Sequence, residues 1–433
     1  MLKKPSEDPT QARQIVEIPV ALLSKGLYVS QLDRPWIDSP FLFQGFEVES
    51  DEELQQLQDL CKHVQVEVGA EEAATLRARM QKQRPPAKPA EPGTTSLEEI
   101  TDNLTARMHL VPAKDPVPLK TELLSARGAY SQARDTVAKI FDRLKRGGGL
   151  DIQLMESAVD SMVDSLFRNR EAMGWLARMK VKDDYLYSHS LAASVWALAF
   201  GRHLGLDKTT LRSLGMGGMV LDIGKTQLST HLLQKSGKPD ESEWQQLLRH
   251  VDLGLAILEK DPRADATMKG MVRTHHERAD GSGYPNKLLG DSIPLVGRIA
   301  AIVDCYDAMT SDRLYAKGKS TYDAVRELKR LGKTWFQPEL VELFIQAVGV
   351  FPTGTLVELN SGEVGIVIAQ NRFRRLRPEV MLILDADKKV REQFPAIDLQ
   401  MYTQENENGN PTLFITQGLE PGAYGVDPTE FFL

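Results

Sequence analysis

His275-His276-Glu277-Arg278-Ala279-Asp280-Gly281-Ser282-Gly283-Tyr284-Pro285 sets two adjacent imidazoles directly before a glycine-rich turn. It closes a run in which six of the eight histidines of the 433-residue chain fall between residues 189 and 276. Neutral imidazoles with nearby carboxylates suit first-row divalent metals, and several such ligands can hold two ions that activate water for phosphoester chemistry. The clustering marks a metal centre.

Around this stretch, helical periodicity dominates from residue 121 to 348, with Gly147-Gly148-Gly149 and Gly281-Ser282-Gly283 as the clearest breaks. Residues 12–68 mix strand-like runs such as Gln14-Ile15-Val16-Glu17-Ile18 with turns and an amphipathic segment from Asp51 to Lys62, which predicts a small α+β module. Residues 69–120 turn polar and carry Pro85-Pro86-Ala87-Lys88-Pro89, a composition expected of a flexible linker. From residue 352 to 433 the pattern becomes alternating and β-branched, as in Val364-Gly365-Ile366-Val367-Ile368, and predicts a β extension. The expected fold class is mainly α, with a helical domain flanked by a small α+β module and a small β module.

A formal net charge of -7 argues against broad binding to nucleic acid or anionic membrane, while a small anionic ligand remains compatible with a local basic pocket. Cys61 and Cys305, far apart in sequence, point to a reducing compartment rather than a disulfide framework. No apolar run approaches about 18 residues, and Met1-Leu2-Lys3-Lys4 leads into polar sequence, so a cytoplasmic protein without membrane insertion is expected.

Further donors lie at the ends or inner faces of apolar helical segments. His189 opens one over 190–204, Asp222 closes another over 210–221, and His250 follows Trp244-Gln245-Gln246-Leu247-Leu248-Arg249. Asp304 sits inside Ile299-Ala300-Ala301-Ile302-Val303-Asp304-Cys305-Tyr306-Asp307-Ala308-Met309. At these residues the chain resembles the HD-GYP family, a branch of the HD-domain metal-dependent phosphohydrolases whose members hydrolyse cyclic di-GMP. The resemblance spans residues 180–345: HHERADGSGYP is similar to the family's HHExxDGxGYP, Asp222-Ile223-Gly224-Lys225 to its DIGK, and residues 302–313 to its late helix. The N-terminal module, with Gly26-Leu27-Tyr28-Val29, resembles an uncharacterised domain that often precedes HD-GYP domains.

One departure stands out. The family's His-Asp pair is Leu221-Asp222 here. The resemblance implies that His189, the missing histidine, Asp222 and Asp304 hold one ion, and that Asp222 bridges to a second held by His250, His275 and His276. Leucine has no lone pair, so one ion (Fe, Mn, Ni or Zn) is expected to be well held and the other weakly. Tyr185 replaces the glutamate of three-metal members, which argues against a third ion. The resemblance further implies that Lys225 contacts the scissile phosphate, that Tyr284 packs against the nucleotide, and that Asp183, Arg313 and Lys317 line the dinucleotide pocket. The expected function is a cyclic di-GMP phosphodiesterase with impaired activity. The competing class is a non-catalytic cyclic di-GMP sensor, or an interaction module for a partner such as a diguanylate cyclase.

Bland readings accompany some of these residues. Asp304 can simply cap or pair within its helix, Lys225 can be a helix-end cation favoured by the dipole, and the Gly281-Ser282-Gly283 turn has a purely conformational reading. His203 is expected at a helix surface or end, near the last carbonyls. His231 falls where the family usually has no ligand, and becomes the first suspect only if another ligand is found to compensate for Leu221. Arg372-Phe373-Arg374-Arg375-Leu376-Arg377-Pro378 is read as a solvated turn rather than a nucleic-acid site.

Overall fold

The computed structural model describes residues 14–33, 39, 41, 45–69, 72, 73, 75, 76, 97, 115–179, 185–235, 237–312, 317–371, 375–402, 413–420 and 422–431. The architecture is mainly α with a small sheet at each end of the chain, as the sequence patterning predicts.

At the N-terminal end, β1 (Gln14–Pro19), β2 (Tyr28–Leu32), β3 (Phe46–Glu47) and β4 (His63–Val68) form an antiparallel sheet of order β1-β4-β2-β3. Alternating residues such as Val16, Ile18, Val64 and Val66 share a buried cluster with Leu57 of α1 (Asp51–Leu60). A reciprocal capping box between Ser50 and Glu53 starts that helix by satisfying two otherwise orphaned amides. Residue 68 does not end this core: Ala73 and Leu76 are buried in it, so the first residues of the expected linker pack. Most of the expected linker, residues 77–96 and 98–114, lies outside the described residues.

The helical domain runs through α2 (Leu119–Lys145), α3 (Ile152–Arg168), α4 (Ala172–Arg178), α5 (Tyr185–His203), α6 (Lys208–Met219), α7 (Thr230–Leu233), α8 (Glu241–Leu248), α9 (His250–Leu258), α10 (Ala266–Thr274), α11 (Leu295–Thr310), α12 (Thr321–Leu331) and α13 (Pro338–Val348). Leu191 to Leu198 of α5 are buried without a break, which makes α5 the central helix, since a helix apolar all round must be enclosed by others. Trp196 meets Tyr306 of α11 edge-on at 5.3 Å, and Phe200 meets Phe344 of α13 at 5.2 Å. Against α6 the backbones themselves approach. A Cβ on Gly218 would fall 2.6 Å from Cα of Ser194, so only glycine permits this contact, and it brings the end of α6 beside the middle of α5.

After α13, strands β5 (Leu356–Leu359), β6 (Val364–Ala369), β7 (Glu379–Leu384), β8 (Ala396–Asp398) and β9 (Ile415–Gly418) form an antiparallel sheet of order β8-β7-β6-β5-β9. Arg375 and Arg377 of the basic stretch are half-buried, and Arg377 donates to the carbonyl of Leu413. They serve packing within this end of the chain rather than standing in solvent; residues 372–374 lie outside the described residues. Among the described residues, no helix is long and apolar enough to cross a membrane.

Candidate metal centre

Five helical elements deliver the donors, with Asp304 inside α11. His189 lies one turn inside α5 rather than at its start, and Asp222 follows α6 directly before a 3-10 turn, Ile223–Gln227. His250 is the first residue of α9, and His275-His276 follow α10. Gly224 fixes the relation between two of them. A Cβ there would lie 1.9 Å from the carbonyl oxygen of His250, so the DIGK turn can press onto α9 only with glycine at this position.

Asp222, His250, His275 and His276 each offer a ligand atom, and those atoms all lie within 4.8 Å of one another. Asp222 Oδ1 is 3.4 Å from His250 Nε2 and 3.9 Å from His275 Nε2, which are themselves 3.4 Å apart. Backbone carbonyls settle how these rings present themselves. His250 Nδ1 donates to the carbonyl of Leu247 at 2.6 Å and His275 Nδ1 to that of Val272 at 2.8 Å, which leaves both Nε2 lone pairs facing Asp222. Burial pushes His250 down to about 4, lowers His275, and holds His276 well below the usual imidazole range. Burial alone would raise Asp222, but Lys225, followed by His250, His189 and His275, overcomes it and keeps the carboxylate ionised. Three neutral imidazoles around one ionised carboxylate is a donor set that fits a divalent first-row ion.

The other face of Asp222 meets a second group. His189 Nε2 lies 3.6 Å from Asp222 Oδ2 and 3.1 Å from Asp304 Oδ1, and His276 Nδ1 lies 3.6 Å from Asp304 Oδ2. The six ligands expected from the sequence therefore form one continuous cluster centred on Asp222. Asp304 does not cap its helix, and it is held below the usual carboxylate range because contact with His189 outweighs its burial. Leu221, 1% exposed, belongs to the apolar core and offers no donor, and Lys225 Nζ donates to Asp222 Oδ2 at 2.6 Å.

His231 is exposed on the short helix α7, outside the donor group. One expectation fails on geometry. His203 ends α5 half-buried with Nε2 3.3 Å from Gln346 Oε1 of α13, so its partner is a side chain across the core rather than the carbonyls at the helix end.

The sequence reading also missed Asp307. This fully buried carboxylate accepts from His189 Nδ1 at 2.7 Å, from Trp196 Nε1 at 3.3 Å and from Ser311 Oγ at 3.0 Å. It orients His189, the carboxylate–histidine arrangement that commonly backs a metal ligand. Its signal was present in Asp304-Cys305-Tyr306-Asp307, where spacing i, i+3 puts two acids on one face of an apolar helix.

Tyr284 is half-buried, and its ring lies 4.6 Å from that of His276. Buried Glu277 accepts from the amides of Asn286 at 2.8 Å and Leu288 at 2.9 Å and so holds the loop that carries Tyr284. Lys317 is exposed beyond the end of α11. Asp183, Arg313 and the side chain of Tyr185 lie outside the description.

The chain is similar to known proteins along most of its length. A family profile described as HD domain matches residues 167–340, a domain of unknown function (DUF3391) matches 15–155, and a KOW domain associated with HD domain matches 356–424. The chain is 32% identical over 389 residues to a cyclic di-GMP phosphodiesterase of Pseudomonas aeruginosa, covering 88% of each chain. It is 32% identical over 200 residues to 3'3'-cGAMP-specific phosphodiesterase 2 of Vibrio cholerae, covering 45% of this chain and 38% of that one. Among solved structures, an HDG"Y"P protein from Bdellovibrio bacteriovorus superposes with a TM-score of 0.44 at 15% identity, over 76% of this chain and 98% of that one. With a full-length relative at that identity and the His275–Pro285 element in place around the donor cluster, the chain belongs to the HD-GYP family of HD-domain phosphohydrolases.

Proposed function

We propose that this chain is a cyclic di-GMP-directed phosphodiesterase whose turnover is impaired by loss of one metal ligand at position 221. The observation that carries the reading is the convergence of Asp222, His250, His275 and His276 within 4.8 Å; the impairment follows from the family resemblance, which puts a histidine ligand where this chain has Leu221. The chemistry that a divalent ion supplies when bound there is polarisation of a phosphoryl oxygen and acidification of water.

The chain's own residues account for the rest of the reaction. Asp222 stays anionic and faces both donor groups, so it sets the spacing between them. Leu247 and Val272 hold two imidazoles in the tautomer that ligation needs, and Asp307 does the orienting for His189. Lys225 presents an ammonium at the open edge of Asp222, where a substrate phosphate would meet it. Tyr284 walls the site on the His276 side and offers a ring to the nucleotide. In this reading Lys317, together with Asp183 and Arg313, recognises the guanine edges and phosphates.

The ion pair between Lys225 and Asp222 Oδ2 favours a second reading, a non-catalytic cyclic di-GMP sensor. An ammonium already neutralises the carboxylate oxygen that a second ion would need. Chromatography of cyclic di-GMP incubated with the protein and excess manganese separates the two. Linear dinucleotide or GMP, absent with His276→Ala, supports the enzyme; intact ligand retained by the protein supports the sensor.

A further inference from the structure

Trp244 is 43% exposed on α8, a helix without a single buried residue. One exposed tryptophan is ordinary on a protein surface. Its place is not, because the indole meets Tyr284 edge-to-face at 6.2 Å, and Tyr284 in turn lies 4.6 Å from the ligand His276. Three rings thus run outward from the metal centre to solvent. Tyr284 is already engaged by His276 and His250, so the ring left for a ligand is the indole, which is 43% exposed.

α8 is held firmly despite its exposure. Asp240 and Glu243 form a reciprocal capping box, and Lys235 Nζ donates to both carboxylate oxygens of Glu243 at 2.6 Å. The helix then leads through Arg249 into α9, whose first residue is the ligand His250. Trp244 is therefore carried on a pinned surface helix that is coupled in sequence to the metal cluster and in space to the glycine-rich loop. Neither its burial nor a hydrophobic core explains it.

We infer that Trp244 is a base-binding residue: a purine of the bound cyclic dinucleotide stacks on its indole, with Tyr284 standing at 78° as the adjoining wall, while the phosphates face Lys225 and the donor cluster. The inference rests on the cyclic dinucleotide reading above. Stacking uses the flat face that every purine has, so this subsite would not separate guanine from adenine, and that discrimination falls to groups that read base edges.

Binding of hydrolysis-resistant phosphorothioate analogues of cyclic di-GMP and of cyclic GMP–AMP, measured by calorimetry with manganese present, tests this. Trp244→Ala should weaken both by the same factor, about 5- to 150-fold, the range expected for loss of one base–aromatic stack. Trp244→Phe should stay within about threefold of the unaltered chain because it keeps a π face. Trp244→Leu keeps apolar bulk against Tyr284 but offers no π face, and should fall with the alanine variant. Metal content and thermal unfolding should be the same in all four proteins, since the indole is neither a ligand nor part of the core. Full binding by Trp244→Leu, or a penalty confined to one of the two analogues, overturns the stacking role. Failure of the unaltered chain to bind either analogue instead removes the cyclic dinucleotide reading, and the stacking role with it.

Discussion

Leu221→His is the substitution on which the account of this site makes its most demanding prediction. Position 221 directly precedes Asp222 and is 1% exposed, so an imidazole of similar bulk needs no new backbone path to reach the group formed by His189, Asp222 and Asp304. Disturbing even a residue that merely orients a ligand changes metal affinity or activity by about 10–100-fold, about 1.4–2.7 kcal/mol, and restoring a direct ligand should be worth at least that. Two costs oppose the gain. An imidazole placed in the apolar cluster around Leu221 without a partner costs about 1–3 kcal/mol, and Lys225 must release Asp222 Oδ2. The variant should therefore unfold more easily than the parent in chelator, by about 1–3 kcal/mol, and recover about 2.7 kcal/mol with manganese at about 100 times its dissociation constant. Cyclic di-GMP hydrolysis, followed chromatographically at matched protein and manganese with His276→Ala as the inactive control, should rise at least about tenfold. A variant that gains an ion without gaining activity would show that the pocket has diverged beyond this ligand, and the sensor reading would stand. Rapid turnover by the unaltered protein, little changed by the substitution, would refute the reasoning about Leu221 altogether.

Two other outcomes follow from named contacts. Asp307→Asn removes the charge that orients His189, so occupancy of the weak ion in a manganese titration followed by electron paramagnetic resonance should need about 10–100-fold more metal, with the tight ion retained; loss of the tight ion would show that His189 belongs to it. His203 is pushed down to about 3 by burial, reinforced by Arg375, so it stays neutral in the native state while the unfolded chain takes up a proton below about pH 6.5. Stability should accordingly fall as pH drops from about 6.5 towards 3, by up to about 1.4 kcal/mol per unit from this residue. The difference in unfolding free energy between the parent and His203→Gln should change with pH over that window, and a constant difference would contradict the assignment.

The parts of the site that sequence made legible are those where residue type alone carries the chemistry. The adjacent pair His275-His276 and Asp304 stand out as candidate donors because imidazoles and acids inside apolar helices have few inexpensive alternatives, whereas the DIGK turn and the departure at Leu221 are legible only through the family resemblance. What sequence left hidden depends on pairing across the fold. Asp307 looked like one more acid of α11 until its contact with His189 was seen, and the carbonyls of Leu247 and Val272 carry no side-chain signature at all. The end of the N-terminal module was misplaced for a similar reason. Ala73 and Leu76 sit in polar sequence, and two isolated apolar residues just beyond the last strand leave no periodic trace. His203 was misread because its partner, Gln346, lies 143 residues further along the chain.

The central claim is that Asp222, His250, His275 and His276 hold one ion firmly while the group beside Leu221 does not. Elemental analysis of protein purified without chelators, before and after dialysis against a chelator, measures this directly. The account predicts about one chelator-resistant divalent ion per chain, lost in His275→Ala, with a second appearing only at high metal concentration. Two chelator-resistant ions per chain, or none, would contradict it.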